Sequence, residues 1–357
     1  YVPSEMIAAG IIMNSFLPEV GTIWWAVLFG LLVTLLNLFR VDKFGESEFW
    51  LALVKIIALV AFSAVALLIC LGLIGDEGYI GTGILLGSGG FAPHGYASIA
   101  LTMVIILVNF QGTEIIGLAA GETADPARSI PTAVRNVTWR IIALYIIPIT
   151  LLVSILPWDH ASLSKSVFAA ALAEHGFSHL GALFSFVVLT AALSCSNSGL
   201  YGAARTVHAL ATMGMAPRAL GGLSRKGIPS RAIYASIAFC WGVIALYALH
   251  PDAALYTYLL ALSGFSGAVA WISICWSQYR RRRRLEAAGT VSLLRYRMPL
   301  FPYVTLFGIW AQVLCLLFMA FTPELRSALY LGVPMLVVPM LLYRFLRRRR
   351  AHDIIEK

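Results

Sequence analysis

The chain has 357 residues, of which 60% are hydrophobic and 12% charged, and its mean hydropathy is +0.84. Soluble domains carry roughly 25% charged residues, so this composition excludes a water-soluble enzyme or binding module and defines an all-α, polytopic membrane protein. The net charge of +9 does not imply a nucleic-acid partner, because its distribution along the chain follows the membrane.

Apolar runs near the ~20 residues that cross a bilayer recur at 1–17, 21–39, 48–75, 97–119, 137–157, 178–205, 229–249, 254–279, 301–321 and 325–346, ten in all. When the intervening loops are assigned alternately to two sides, one side receives 23 of the 26 Lys and Arg. By the positive-inside rule that side is cytoplasmic and so is the C-terminus. The arginine runs at 280–284 and 347–350 read as topology anchors near anionic lipid. The five cysteines lie in apolar spans with no pairing or metal-type spacing, and no cofactor is implied. A membrane-embedded enzyme would need a His/Asp pair or metal cluster at the interface, and the seven histidines are scattered.

In chain order, the first run carries Glu5 and the small residues Ala8-Ala9-Gly10, and exits at Phe16-Leu17-Pro18. The second ends at Arg40 and Lys43, after which Val41–Trp50 is expected to be a short polar loop. Lys55 follows about seven residues into the third run, roughly 10 Å deep at 1.5 Å per residue. Its ammonium either snorkels to the cytoplasmic interface or is buried. The glycine-rich segment 75–96 has no Lys or Arg, as an external loop should.

The most informative stretch interrupts the fourth run. Phe110-Gln111-Gly112-Thr113-Glu114 is flanked by apolar sequence on both sides, and a carboxylate there costs roughly 2.5–3.5 kcal/mol on insertion scales. Gly112 and Gly117 each lower helix propensity by about 1 kcal/mol, so the helix is expected to break. A break exposes backbone groups that a polar ligand or watery cavity can satisfy. The alternative is that Gln111, Thr113 and Glu114 are interhelical packing glue. Beyond it, Asp125-Pro126 and Ser129-Ile130-Pro131 are expected to break and restart helix with a cap at Ser129. Glu122 with Arg128, Arg135 and Arg140 makes either a salt-bridge gate or a solvated loop. The run 178–205 carries Ser194, Asn197 and Ser198 at i, i+3 and i+4 on one face, either helix–helix glue or an inward polar face. Ser263-Gly264-Phe265-Ser266-Gly267 thins one side of a later run, leaving space or permitting close packing.

The ordered motif formed by Phe110–Glu114, Ile116-Gly117, Ala120-Gly121-Glu122, Asp125-Pro126, Ile130–Val134 and Trp139-Arg140 resembles the bacterial amino acid permeases of the amino acid–polyamine–organocation superfamily, nearest the lysine and S-methylmethionine members. Phe44-Gly45-Glu46-Ser47-Glu48-Phe49-Trp50 and the stretch Leu189–Tyr201 resemble the same family. The resemblance implies a LeuT-like inverted-repeat helical bundle in one permease domain spanning 1–357. Its parts would be a partial first repeat at 1–75, a second repeat at 97–279, two additional helices at 301–346 and a cytoplasmic tail at 347–357. It also implies that about ten of twelve helices are present and the first two are missing. The implied function is proton-coupled symport of an amino acid across the bacterial cytoplasmic membrane, with a cationic amino acid as the expected substrate. The alternatives are a neutral amino acid permease or a non-transporting remnant. Substrate binding would fall to Phe110, Gln111, Gly112, Thr113, Glu114, Glu5, Asn197 and Ser198. Proton coupling would fall to Lys55, Glu114 and Ser194, with alternating access following protonation of Lys55 or Glu114. The implied partners are the amino acid substrate, protons and the lipid bilayer.

Overall fold

The computed structural model describes residues 1–38, 41–75, 78–87, 89–118, 125–161, 166–225, 227–250, 253–294 and 296–355. The secondary structure of these residues is helical, with no strand among them. The helices are α1 (Val2–Phe16), α2 (Thr22–Asn37), α3 (Val41–Cys70), α4 (Gly83–Gly87), α5 (Tyr96–Val108), α6 (Ile115–Leu118), α7 (Pro126–Ile141), α8 (Ile147–Ile155), α9 (Val167–Glu174), α10 (Ser178–Thr212), α11 (Ser230–Leu249), α12 (Ala253–Ala287), α13 (Tyr303–Phe321) and α14 (Pro323–Ile355). A π-helical turn, Ile142–Ile146, joins α7 to α8. Each of the ten apolar runs thus has a helical counterpart. Seven helices among the described residues are long and apolar enough to cross a membrane. The others are short, as in α1 with 15 residues and α2 with 16, or interrupted, as in α5 and α6.

The chain divides into two compact units. The first comprises residues 1–95, 134–212 and 217–251 and is organised on the 35-residue α10, against which α1, α2, α3, α9 and α11 all pack. One apolar core joins α3, α8, α9 and α10 through Phe62, Ile69, Leu152, Ile155, Leu172 and Phe184. Phe62 makes edge-to-face contacts with Phe168 at 4.9 Å and Phe184 at 5.6 Å. A second core joins α1, α2, α10 and α11 through Met6, Val33, Leu200, Ile237 and Ile244. The buried ring of His175 donates from Nε2 to the carbonyl of Ile155 at 2.8 Å, closing the C-terminal end of α8, where carbonyls lack intrahelical partners.

The second unit comprises residues 96–133, 213–216 and 252–357. Here α12 is the axis, packed by α5, α13 and α14 around Ala261, Phe265, Cys315, Met319, Leu325 and Ala328. Gly332 of α14 lies under the Phe265 ring, where a Cβ would come 2.5 Å from a ring carbon. Large apolar side chains such as Trp24, Ile57, Phe239, Trp310 and Leu341 are exposed on the outer faces, as a lipid-facing surface requires.

Two local expectations are corrected. Val41–Trp50 is not a loop: α3 is helical from Val41, since the segment holds no proline and its one glycine, Gly45, costs only about 1 kcal/mol within a helix. Nor does helix restart at Ser129. It begins at Pro126 with Asp125 as its cap, the Asp125 carboxylate accepting from the Arg128 N–H at 3.3 Å. Proline suits the first helical position because its missing N–H would lack a partner there anyway. Pro131 is accommodated inside the helix.

Close helix packing generates a prediction. A Cβ on Gly10 of α1 would come 2.7 Å from the Thr22 carbonyl oxygen and 3.3 Å from the Ala26 nitrogen, both backbone atoms of the α1–α2 contact. Gly10→Ala should lower the melting temperature of the detergent-solubilised protein, by about 1–3 kcal/mol of overpacking. Gly242→Ala, in α11 with nothing within 4 Å, should raise it through a propensity gain of about 0.5–1 kcal/mol.

Candidate functional site

The polar residues singled out in the sequence fall into two clusters, one in each unit. In the first unit the centre is Glu48, which sequence reasoning missed as a functional side chain. Ser194 Oγ donates to Glu48 Oε2 at 2.5 Å and Asn197 Nδ2 donates to Oε1 at 2.8 Å. Asn197 Oδ1 in turn accepts from Asn37 Nδ2 at 2.7 Å, and that amide also donates to the Val33 carbonyl at 3.0 Å. The network ties α2, α3 and α10 together; Ser194, Asn197 and Asn37 are buried, at 2%, 4% and 8% exposure, and Glu48 is half-buried. The i, i+3 spacing of Ser194 and Asn197 therefore serves one carboxylate. Ser198, half-buried, is the next residue on the same helix.

Lys55 lies two turns beyond Glu48 on α3 and is half-buried, about 10 Å further along the axis at 1.5 Å per residue. It is in electrostatic range of Glu5 on α1 and of Cys195 on α10. The structure thus brings Glu5 and Lys55 into one electrostatic neighbourhood, and Cys195 is also in range of Glu48. The signal that could have found Glu48 was its separation of seven residues from Lys55, which puts acid and base on one face of one helix.

The second cluster is the expected break. Helix α5 stops at Val108, residues 109–114 run as turns, and α6 starts at Ile115. Gly112 has φ +104°, a conformation that a Cβ disfavours. This turn lets the Gly112 N–H donate to both oxygens of the Glu114 carboxylate at 3.1 Å. Trp271 Nε1 of α12 donates to Glu114 Oε2 at 3.2 Å. Gln111 is tied to the same helix, its Nε2 donating to the Ser263 carbonyl at 2.7 Å and its Oε1 accepting from Ser263 Oγ at 2.9 Å. The Gln111 side chain lies against Gly267, where a Cβ would collide with it, so the small-residue face of α12 is used for close packing at that position. Thr113 is exposed and its Oγ1 donates to the Phe110 carbonyl at 3.4 Å. Phe110 is half-buried.

A carboxylate can accept about four hydrogen bonds, so the three donated to Glu114 leave it acceptor capacity. Glu122, the acidic member of the expected gate with Arg128, Arg135 and Arg140, lies outside the described residues. Among the described residues no group of three or more His, Cys, Asp or Glu is arranged to hold a metal ion.

Multiple apolar helices, buried polar contacts between them and a helix broken beside a carboxylate define a polytopic membrane protein of the permease type. The chain belongs to the amino acid permease family, whose model matches residues 1–356. It is 35% identical over 358 residues to the amino-acid permease RocC of Bacillus subtilis, covering 99% of this chain and 76% of that protein. It is 34% identical over 349 residues to the gamma-aminobutyric acid permease of the same organism, covering 98% of this chain and 74% of that protein. The lysine-specific permease LysP of Escherichia coli is 34% identical over 365 residues, covering 96% of this chain and 73% of that protein.

The shared use of Asn197 by Asn37 and Glu48 yields a testable coupling. Asn197→Ala should lower the melting temperature in detergent by the equivalent of about 1–3 kcal/mol, since it strips a partner from each of two polar groups. Asn37→Ala combined with it should cost less than the two single effects together, because both act on one network. Strict additivity would mean that the network is not coupled.

Proposed function

We propose that this chain carries out secondary uptake of an amino acid, coupled to protons, across the bacterial cytoplasmic membrane, with the C-terminus on the cytoplasmic side. The observation that carries the reading is the broken helix at 109–114, with Glu114 held beside the backbone amide of a glycine in the left-handed region. A discontinuous helix offers backbone groups to the ammonium or carboxylate of an amino acid. Phe110, Gln111, Gly112, Thr113 and Glu114 are assigned to binding in the second unit, and Glu5, Asn197 and Ser198 are assigned to binding in the first. Lys55, Ser194 and Glu114 are assigned to proton coupling, with Lys55 near Glu5 as the cationic member. The repeat organisation that supports alternating access is 1–75, 97–279 and 301–346, with 347–357 as a cytoplasmic tail.

A cationic amino acid is the substrate class we favour, because Glu114 has two anionic oxygens and remaining acceptor capacity. Overall similarity does not decide it. A relative named for lysine and one named for gamma-aminobutyric acid are equally identical to this chain at 34%, so selection rests on a few groups at the site.

The test is uptake of radiolabelled lysine into proteoliposomes under an imposed inward proton gradient, competed by each other amino acid and by S-methylmethionine. Cationic amino acids should compete best. Glu114→Gln should weaken that competition by roughly tenfold or more, the equivalent of a charge-assisted hydrogen bond of about 1.5–3 kcal/mol. Neutral amino acids competing equally well, with Glu114→Gln without effect, would move the assignment to a neutral permease. Gradient-independent uptake would remove the coupling.

A further inference from the structure

The arginine run 280–284 ends α12, and its five side chains are not equivalent. Arg282 donates from Nε to Glu286 at 3.2 Å and stands over the Phe301 ring at 5.6 Å. Arg283 pairs with the same carboxylate at 3.8 Å and stands 5.9 Å from the Tyr279 ring. Both are thereby occupied within the protein. Arg280, Arg281 and Arg284 are exposed, no carboxylate among the described residues pairs with them, and with Ser277 and Leu285 they line a cavity of about 370 Å³.

Three further observations suit this cavity to an anion. Guanidinium groups bind phosphate through paired parallel N–H donors and are weakly hydrated, so the match costs less desolvation than an ammonium would. The helix end is closed: the Thr290 N–H donates to the Leu285 carbonyl at 3.0 Å and the Gly289 N–H to the Glu286 carbonyl at 3.1 Å. Two carbonyls that would otherwise present negative partial charge beside the cavity are thus satisfied. Trp276 and Tyr279 stack at 5.7 Å one turn before the arginines, and Trp276 is half exposed. An aromatic pair directly preceding a basic turn marks the level of lipid headgroups.

We propose that Arg280, Arg281 and Arg284, with Ser277, form a phosphate-binding site at the membrane surface, whose ligand is the phosphate of an anionic phospholipid headgroup or free inorganic phosphate. Leu285 gives the cavity an apolar wall against which the start of an acyl chain or the glycerol can rest.

The experiment uses the purified full chain in detergent, with phosphatidylglycerol, phosphatidylcholine and inorganic phosphate as probes, and reads retained ligand by native mass spectrometry together with melting temperature. Phosphatidylglycerol should be retained in preference to phosphatidylcholine. The triple change Arg280→Gln, Arg281→Gln, Arg284→Gln should reduce that retention roughly tenfold, while Arg282→Gln with Arg283→Gln should leave it within about twofold. A triple Arg→Lys variant at 280, 281 and 284 keeps the charge and guards against loss of folding. It should melt normally without lipid yet retain less phosphatidylglycerol. Stabilisation by inorganic phosphate alone, with displacement of the lipid, would assign the site to free phosphate. Equal loss in the double and triple Gln variants, or full retention by the Lys variant, would overturn it in favour of a diffuse basic patch.

Discussion

A polar group inside a bilayer has no water to turn to, so it must find its partner within the protein. Several hydroxyls among the described residues meet that constraint locally. Thr34, Ser63, Ser154, Thr206, Ser266 and Ser273 each donate back to the carbonyl four residues earlier. Such bonds cost nothing in helix continuity and specify no neighbour. A carboxylate cannot do this, because it accepts and does not donate. Every acidic side chain within the helices therefore forces a decision about which donors come to it, and those decisions shape both units.

Glu48 and Glu114 show two solutions. Glu48 sits on an unbroken helix whose own amides are already engaged, so its donors are side chains from α10, backed in turn by α2. The result is a fixed crosslink of three helices, in which each member is satisfied only while the others stay in place. Glu114 sits at a helix break and takes a backbone amide two residues away, along with one indole from α12. That arrangement needs few partners, and the neighbouring Asn109, Phe110, Gln111 and Ile115 amides close turns onto the carbonyls three residues earlier.

Much of this was legible in the sequence, for identifiable reasons. Helix positions follow from apolar length, which is why every expected span has a counterpart. The break at 109–114 follows from Gly112 beside an intramembrane carboxylate, whereas Gly117 is accommodated within α6. Other features were not legible because they depend on which helix lies opposite. Nothing in the spacing of Ser194 and Asn197 names Glu48 as their partner, since 146 and 149 residues separate them. Polarity also misled: Val41–Trp50 reads as a loop by composition, whereas polar residues of adequate propensity continue a helix readily. At Asp125–Pro131 the cap expected at Ser129 was the wrong one, because proline suits the first helical position and places the cap at Asp125.

The arginine run of α12 extends the same reasoning to the membrane surface. Counted as composition, five consecutive arginines are interchangeable anchors. Their partners separate them, because residues three and four apart are neighbours on a helix surface. Glu286 is placed four residues from Arg282 and three from Arg283 and pairs with both, while Arg280, Arg281 and Arg284 line a common cavity. One acid at one register thus converts a uniform charge run into two populations. The second population is exposed and follows directly on the stacked Trp276 and Tyr279 rings, which is what suits it to the proposed phosphate.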